Sequence, residues 1–180
     1  MKASLLRLTT AAMCLALGYV LPFLTGQIPA VGQLLCPMHL PVLLCGLLCG
    51  WPYGFAVGFV APLLRSATLY YPPMFPTAVS MAVELAVYGL SSALIYRLLP
   101  KRPWRVYPAL IGAMIVGRVI GGLFQLLLLG FGYLESYSFS AFLAAYVTGP
   151  LPGMVLQLLL IPPIVLLAER YFAKEGTALA

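Results

Sequence analysis

Charge is scarce in this chain. Its 180 residues include ten Lys or Arg, four Glu, one His and no Asp, so charged side chains make up only 8%. Soluble domains carry about 25% charged residues. That shortage, with 63% hydrophobic residues and a mean hydropathy of +1.04, excludes a soluble globular enzyme and a disordered chain. The four Cys sit inside apolar stretches, which is wrong for a secreted disulfide scaffold. The net charge of +6 reflects few acids rather than many bases, and no basic stripe exists, so nucleic acid is excluded as a partner. Nucleophile and metalloprotease motifs are also missing: there is no G-x-S-x-G, no H-E-x-x-H and no acid pair.

What is present is a succession of apolar runs. A membrane-crossing helix takes about 20 residues, and with its connection about 30, so the length predicts about six spans and leaves no water-soluble domain. Charges and helix breakers place them at about 5–24, 39–50, 54–67, 77–98, 106–130 and 142–168. The first follows Lys2 and Arg7 and ends at Thr25-Gly26-Gln27, not at a small-x-small cleavage site, so it reads as a retained helix. Trp51-Pro52-Tyr53-Gly54 reads as a tight turn. The last span is interrupted by Gly149-Pro150-Leu151-Pro152-Gly153 and by Pro162-Pro163. The second and third spans are short for a bilayer core of about 30 Å and call for thinning or tilt. A five-span alternative makes residues 39–67 a single re-entrant hairpin. The charges favour six. Lys2, Arg7, Arg97, Lys101, Arg102, Arg105, Arg170 and Lys174 then share one side, and the opposite loops hold no Lys or Arg. By the positive-inside rule both termini are cytoplasmic.

Three charges remain inside the spans: Arg65, Glu84 and Arg118. Each costs about 2.5–3.5 kcal/mol at a helix centre on insertion scales, so such residues face a bundle interior or a water-filled cavity. At about 1.5 Å per residue, Glu84 lies roughly 10 Å and Arg118 roughly 18 Å below the outer ends of their helices, with Arg65 near the outer end of its own. All three are in reach of one another in the outward half. One reading is an outward-facing pocket whose guanidinium receives a ligand carboxylate, because the Arg fork holds both oxygens. The other is a structural Glu84–Arg118 pair, with Arg65 snorkelling to headgroups. Gln125, one or two turns above Arg118, is either a pocket donor or a bond between helices. His39 follows Cys36-Pro37-Met38, but a closed zinc site needs four ligands and neither Asp nor a second His is present. His39 therefore reads as a helix-start or pocket-rim residue rather than a metal ligand.

Small residues recur every fourth position: Gly46, Gly50, Gly54 and Gly58, then Gly117 and Gly121, then Ala12 and Ala16. Such faces let backbones approach closely. The glycines read as internal packing. The Ala12/Ala16 face, if the first helix lies at the bundle edge, is free to dock a partner.

A six-helix hydrophobic chain with a small-x-x-x-small first helix resembles the substrate-binding S components of energy-coupling factor (ECF) vitamin transporters. The stretch Cys36-Pro37-Met38-His39-Leu40-Pro41-Val42, running on through Gly50-Trp51-Pro52-Tyr53-Gly54, is similar to the family pattern, as are Pro62-Leu63-Leu64-Arg65-Ser66 and Pro72-Pro73-Met74-Phe75-Pro76-Thr77. The resemblance covers nearly the whole chain. It implies high-affinity capture of one vitamin on the outer side, by the first, third and fifth loops and the outer parts of helices 4 to 6. It implies docking of Ala12-Met-Cys-Leu-Ala16 onto a transmembrane T component. It further implies that two cytoplasmic ATPases supply the energy and that the S component topples to release its ligand inside. This chain has no P-loop and is expected to bind no cofactor and to use no ATP itself. The pantothenate-type members look most similar. Pantothenate is a small carboxylate, so Arg65 or Arg118 would take the carboxylate and Gln125, Tyr71, Tyr88 or Thr77 the remaining polar groups. Niacin fits the same charges, and Glu84 leaves room for a cationic ligand. From other classes, a non-transporting scaffold of the MreD type would use the Gly faces without a pocket, and a lipid-acting membrane enzyme would need a nucleophile or metal set not found here.

Overall fold

The computed structural model of the chain describes residues 2–25, 32, 34–100, 102–133 and 149–174. Among the described residues there are six α-helices and no strands: α1 (Lys2–Val20), α2 (His39–Cys49), α3 (Trp51–Leu69), α4 (Val79–Leu98), α5 (Val106–Gly130) and α6 (Leu151–Lys174). A 3₁₀ turn, Leu21–Thr25, follows α1, a π-turn, Met74–Ala78, leads into α4, and a second 3₁₀ turn, Pro103–Arg105, leads into α5. Among the described residues, four segments are long and apolar enough to cross a membrane: Ser4–Leu24, Met74–Leu98, Val106–Gly130 and Leu151–Phe172.

Three expectations need correcting. The tight turn at 51–54 shrinks to Gly50 alone, at φ 93°, and α3 starts at Trp51, giving it 19 residues. Pro52 sits in the first helical turn, where its missing N–H costs nothing. The short second span needs no bilayer thinning, because α2 is not a lipid-facing element. Nearly all of its 11 residues are buried, as suits a helix that is apolar all round. Finally, α6 begins after the Gly149-Pro150 turn and passes through Pro162 and Pro163 without ending. Prolines are tolerated there because neighbouring groups in a membrane bundle re-satisfy the freed carbonyls. The expected stretch 142–148, the loop residues 134–141 with Glu135, and Lys101 lie outside the described residues.

The packed neighbours run α1–α3–α4–α5–α6 around α2, which touches α1, α3, α4 and α6. Glycines set the α2–α3–α4 spacing. A Cβ at Gly54 would lie 2.6 Å from the Gly89 carbonyl oxygen, and one at Gly46 would lie 2.5 Å from that same oxygen. The three backbones can meet only because these positions lack side chains.

Contacts between helix ends establish the alternation. Tyr19 at the end of α1 bonds Thr68 at the end of α3, at 3.0 Å. At the other end, Glu169 of α6 accepts from Tyr96 of α4 at 2.7 Å and from Arg105 at 2.8 Å. The Arg105 guanidinium also stacks 3.8 Å from the Tyr96 ring centre. Gly50 lies beside Arg97 at that same end. Successive helices therefore run antiparallel. Arg7, Arg97, Arg102, Arg105 and Arg170 belong to one end of the bundle, together with the start of α1 and the end of α6.

Candidate functional site

The polar residues of the interior are organised by the α4–α5 seam. Ser80, Glu84 and Tyr88 are spaced by four and so share one face of α4. Gly117, Gly121 and Gln125 have the same spacing on α5, which runs the other way. The two rows match rung by rung. Ser80 Oγ donates to Gln125 Oε1 at 3.1 Å. A Cβ at Gly121 would lie 2.9 Å from Glu84 Cγ, and one at Gly117 would lie 2.5 Å from the Tyr88 ring. The α5 glycines thus make room for an acid and a phenol, not for a partner helix.

Arg118 leaves the same face of α5 and closes on Glu84, with Nη1 3.2 Å from Oε1. His39, at the first turn of α2, brings Nε2 to 3.7 Å from the same oxygen. Its ring meets Tyr88 edge-on, with centres 4.9 Å apart. Arg118 Nη2 also reaches Cys36 Sγ at 3.7 Å. Cys36 adopts a left-handed φ of 45°, and Gln157 of α6 donates to its carbonyl at 3.3 Å. Five segments therefore converge on one cluster in the half of the bundle where α2 and α4 begin. His39, Glu84 and Tyr88 are all buried. The Tyr88 hydroxyl and both His39 ring nitrogens have no hydrogen-bond partner among the described residues. Leaving a buried polar group unsatisfied costs about 1–3 kcal/mol, so such groups call for a partner or a role.

Of the residues singled out in the sequence, Glu84, Arg118, His39 and Tyr88 come together, and Gln125 sits two turns along the same seam. Arg65 does not join them. It is buried, donates from Nη1 to the Tyr19 carbonyl at 2.8 Å, and stacks 4.9 Å from the centre of the Phe23 ring. Its charge meets the open carbonyls ending α1, a favourable partner for a cation. Arg65 thus clamps α1 to α3. Tyr71 and Thr77 lie exposed on the proline-rich connection before α4. Ser66 donates to the Pro72 carbonyl at 2.7 Å, and Phe75 meets Tyr133 edge-on at 5.0 Å, tying that connection to the end of α5. Ala12 and Ala16 are both exposed, on the side of α1 away from Ala11, Cys14 and Gly18.

Cys36, Ser80 and Gln157 were not foreseen. Signals in the sequence point to the last two. Ser80 completes the four-residue spacing with Glu84 and Tyr88, and Gln157 is the one amide in the apolar stretch 151–167. Among the described residues, no three His, Cys, Asp or Glu side chains gather in a metal-holding group, and the four Cys are free thiols.

These observations define an all-helical membrane protein with a buried, charge-balanced polar cluster between its helices. Residues 6–165 match the family model of the ECF transporter, substrate-specific component, and the chain belongs to that family. Membership makes it a substrate-specific subunit rather than an enzyme, and implies association with a T component and ATPases around a small-molecule substrate. It also decides against the MreD-type scaffold. No curated protein and no solved structure matches the chain.

Proposed function

We propose that this chain captures a small carboxylate vitamin, pantothenate in the first place, at the Arg118–Glu84–His39–Tyr88 cluster. It does so on the outer side of a prokaryotic cell membrane and releases the vitamin inside after docking a T component. Arg118 carries the reading. It is the guanidinium inside the cluster, 3.2 Å from Glu84, and its forked donors can receive both oxygens of a ligand carboxylate. Tyr88 and His39 offer the unsatisfied polar atoms that a hydroxylated amide would meet, while Ser80 and Gln125 extend the polar row. Gathering the basic residues at one end supports cytoplasmic termini, which puts the cluster in the outer half. The exposed Ala12/Ala16 face supports α1 as the docking helix. The partner ATPases hydrolyse ATP, and this chain holds no cofactor. Nicotinate is the second reading, favoured by the aromatic wall that His39 and Tyr88 form at 4.9 Å.

The test is equilibrium binding of labelled pantothenate and nicotinate to the detergent-purified chain and to Arg118→Ala. Loss of a charge-assisted bidentate contact should weaken binding at least about 100-fold, roughly 3 kcal/mol. Unchanged affinity in Arg118→Ala would remove the guanidinium–carboxylate contact from the account.

A further inference from the structure

Among the described residues, the charges of the cluster already cancel before a ligand arrives. Arg118 contributes one positive charge and Glu84 one negative, 3.2 Å apart. An anionic ligand on Arg118 would leave a net negative charge in a buried site. An uncompensated buried charge is expensive, and proteins usually avoid it by moving a proton. The residue placed to take that proton is His39. It is 7% exposed, its Nε2 lies 3.7 Å from Glu84 Oε1, and neither ring nitrogen has a hydrogen-bond partner among the described residues. At 3.7 Å the contact is too long for a hydrogen bond, and a shift of under about 1 Å would make it one. An imidazolium there would donate a charge-assisted bond to the carboxylate that the ligand draws away from Arg118.

We propose that anion binding at this site is coupled to uptake of one proton by His39, which then pairs with Glu84 while Arg118 turns to the ligand. The inference rests on the proposed carboxylate specificity. Among the described residues, the groups that face the imidazole come from four elements. From α4 they are Glu84 and Tyr88, and from α5 Arg118, whose guanidinium also contacts Cys36 of the preceding loop. From α6, Gln157 is uncharged and donates to the Cys36 carbonyl. The Arg65 charge of α3 is spent on α1, at the Tyr19 carbonyl. Among the described residues, α1 contributes neither an ion pair nor a hydrogen bond to the ring.

The sign follows from mass action. If the complex holds one more proton than the free protein, affinity rises as pH falls and declines as pH rises. Histidine is the side chain that changes charge between about pH 5 and 8, whereas a ligand carboxylate stays ionised throughout that range.

The experiment is calorimetric titration of the purified chain with pantothenate at pH 6, 7 and 8, in two buffers of different ionisation enthalpy. Uptake approaching one proton per ligand is expected, with Kd rising by up to about tenfold per pH unit at the alkaline end. The uncharged alcohol analogue, with hydroxymethyl in place of carboxylate, should bind without proton uptake. His39→Gln should bind pantothenate more weakly and with a flat pH profile. Tight pantothenate binding with no proton uptake in the unaltered chain would overturn the coupling and leave the carboxylate reading standing. A pH slope that survives in His39→Gln but vanishes in Glu84→Gln would move the proton to Glu84 and overturn the assignment. If neither pantothenate nor nicotinate binds, the carboxylate reading falls and the coupling falls with it.

Discussion

Glu84 and Arg118 hold each other in a setting that punishes the loss of either. Removing one member of a buried pair leaves an uncompensated charge and costs about 3–5 kcal/mol. The residues around the pair are shaped to fit it. Gly121 faces the Glu84 stem so closely that Gly121→Val must displace the carboxylate from Arg118. That variant should lose vitamin binding and about 1–3 kcal/mol of stability, read by ligand titration and by thermal unfolding in detergent. Retained affinity would show that the Glu84 position does not matter. Arg65 separates stability from binding. Arg65→Ala removes the side-chain donor from the part-buried Tyr19 carbonyl. We expect a lower thermal midpoint, worth about 1–3 kcal/mol, with Kd changed by less than about threefold. A large loss of affinity instead would return Arg65 to the ligand site.

Helices in this bundle are spaced by backbone contact, and that can be tested at two glycines of opposite surroundings. A Cβ at Gly89 would run into the Gly54 backbone, whereas one at Gly130 would meet nothing within 4 Å among the described residues. Gly89→Val should prevent α3 from packing on α4 and abolish a folded, monodisperse product. Gly130→Ala should stay within about 0.5 kcal/mol of the parent chain. Size-exclusion profiles and thermal unfolding distinguish the two. The helix count was legible because runs of about 20 apolar residues alternate with breakers and charges. Boundaries were less so. Pro52 and Gly54 resemble a turn, but proline fits a first helical turn and Gly54 is required by the approach of Gly89, not by the local backbone. Pro162 and Pro163 resemble a break for the same reason: the local rule is overridden by the surrounding bundle. The Glu84–Arg118 encounter was legible from depth along the helices. Depth says nothing of direction around the axis, which is why Arg65 was grouped with them. The parts played by Cys36 and Gln157 depend on how a loop crosses α6, and no single-helix periodicity encodes that.

At the scale of the whole molecule, the proposed function asks for two separable surfaces: the interior cluster for a vitamin and the exposed face of α1 for a T component. α1 packs on α2 and α3 through Ala11, Cys14 and Gly18, leaving Ala12 and Ala16 exposed. Ala12→Trp and Ala16→Trp should therefore leave vitamin affinity intact and prevent co-purification with the T component and ATPases. Unaltered assembly would remove this face from the docking surface. The central claim is that the polar cluster captures a small carboxylate vitamin, and it is tested most directly by what the protein carries. The chain is purified alone in mild detergent and denatured, and the released small molecules are identified by mass spectrometry. Pantothenate at close to one per chain is the predicted result. A protein that emerges empty, and gains no thermal stability from pantothenate or nicotinate added back, would contradict it.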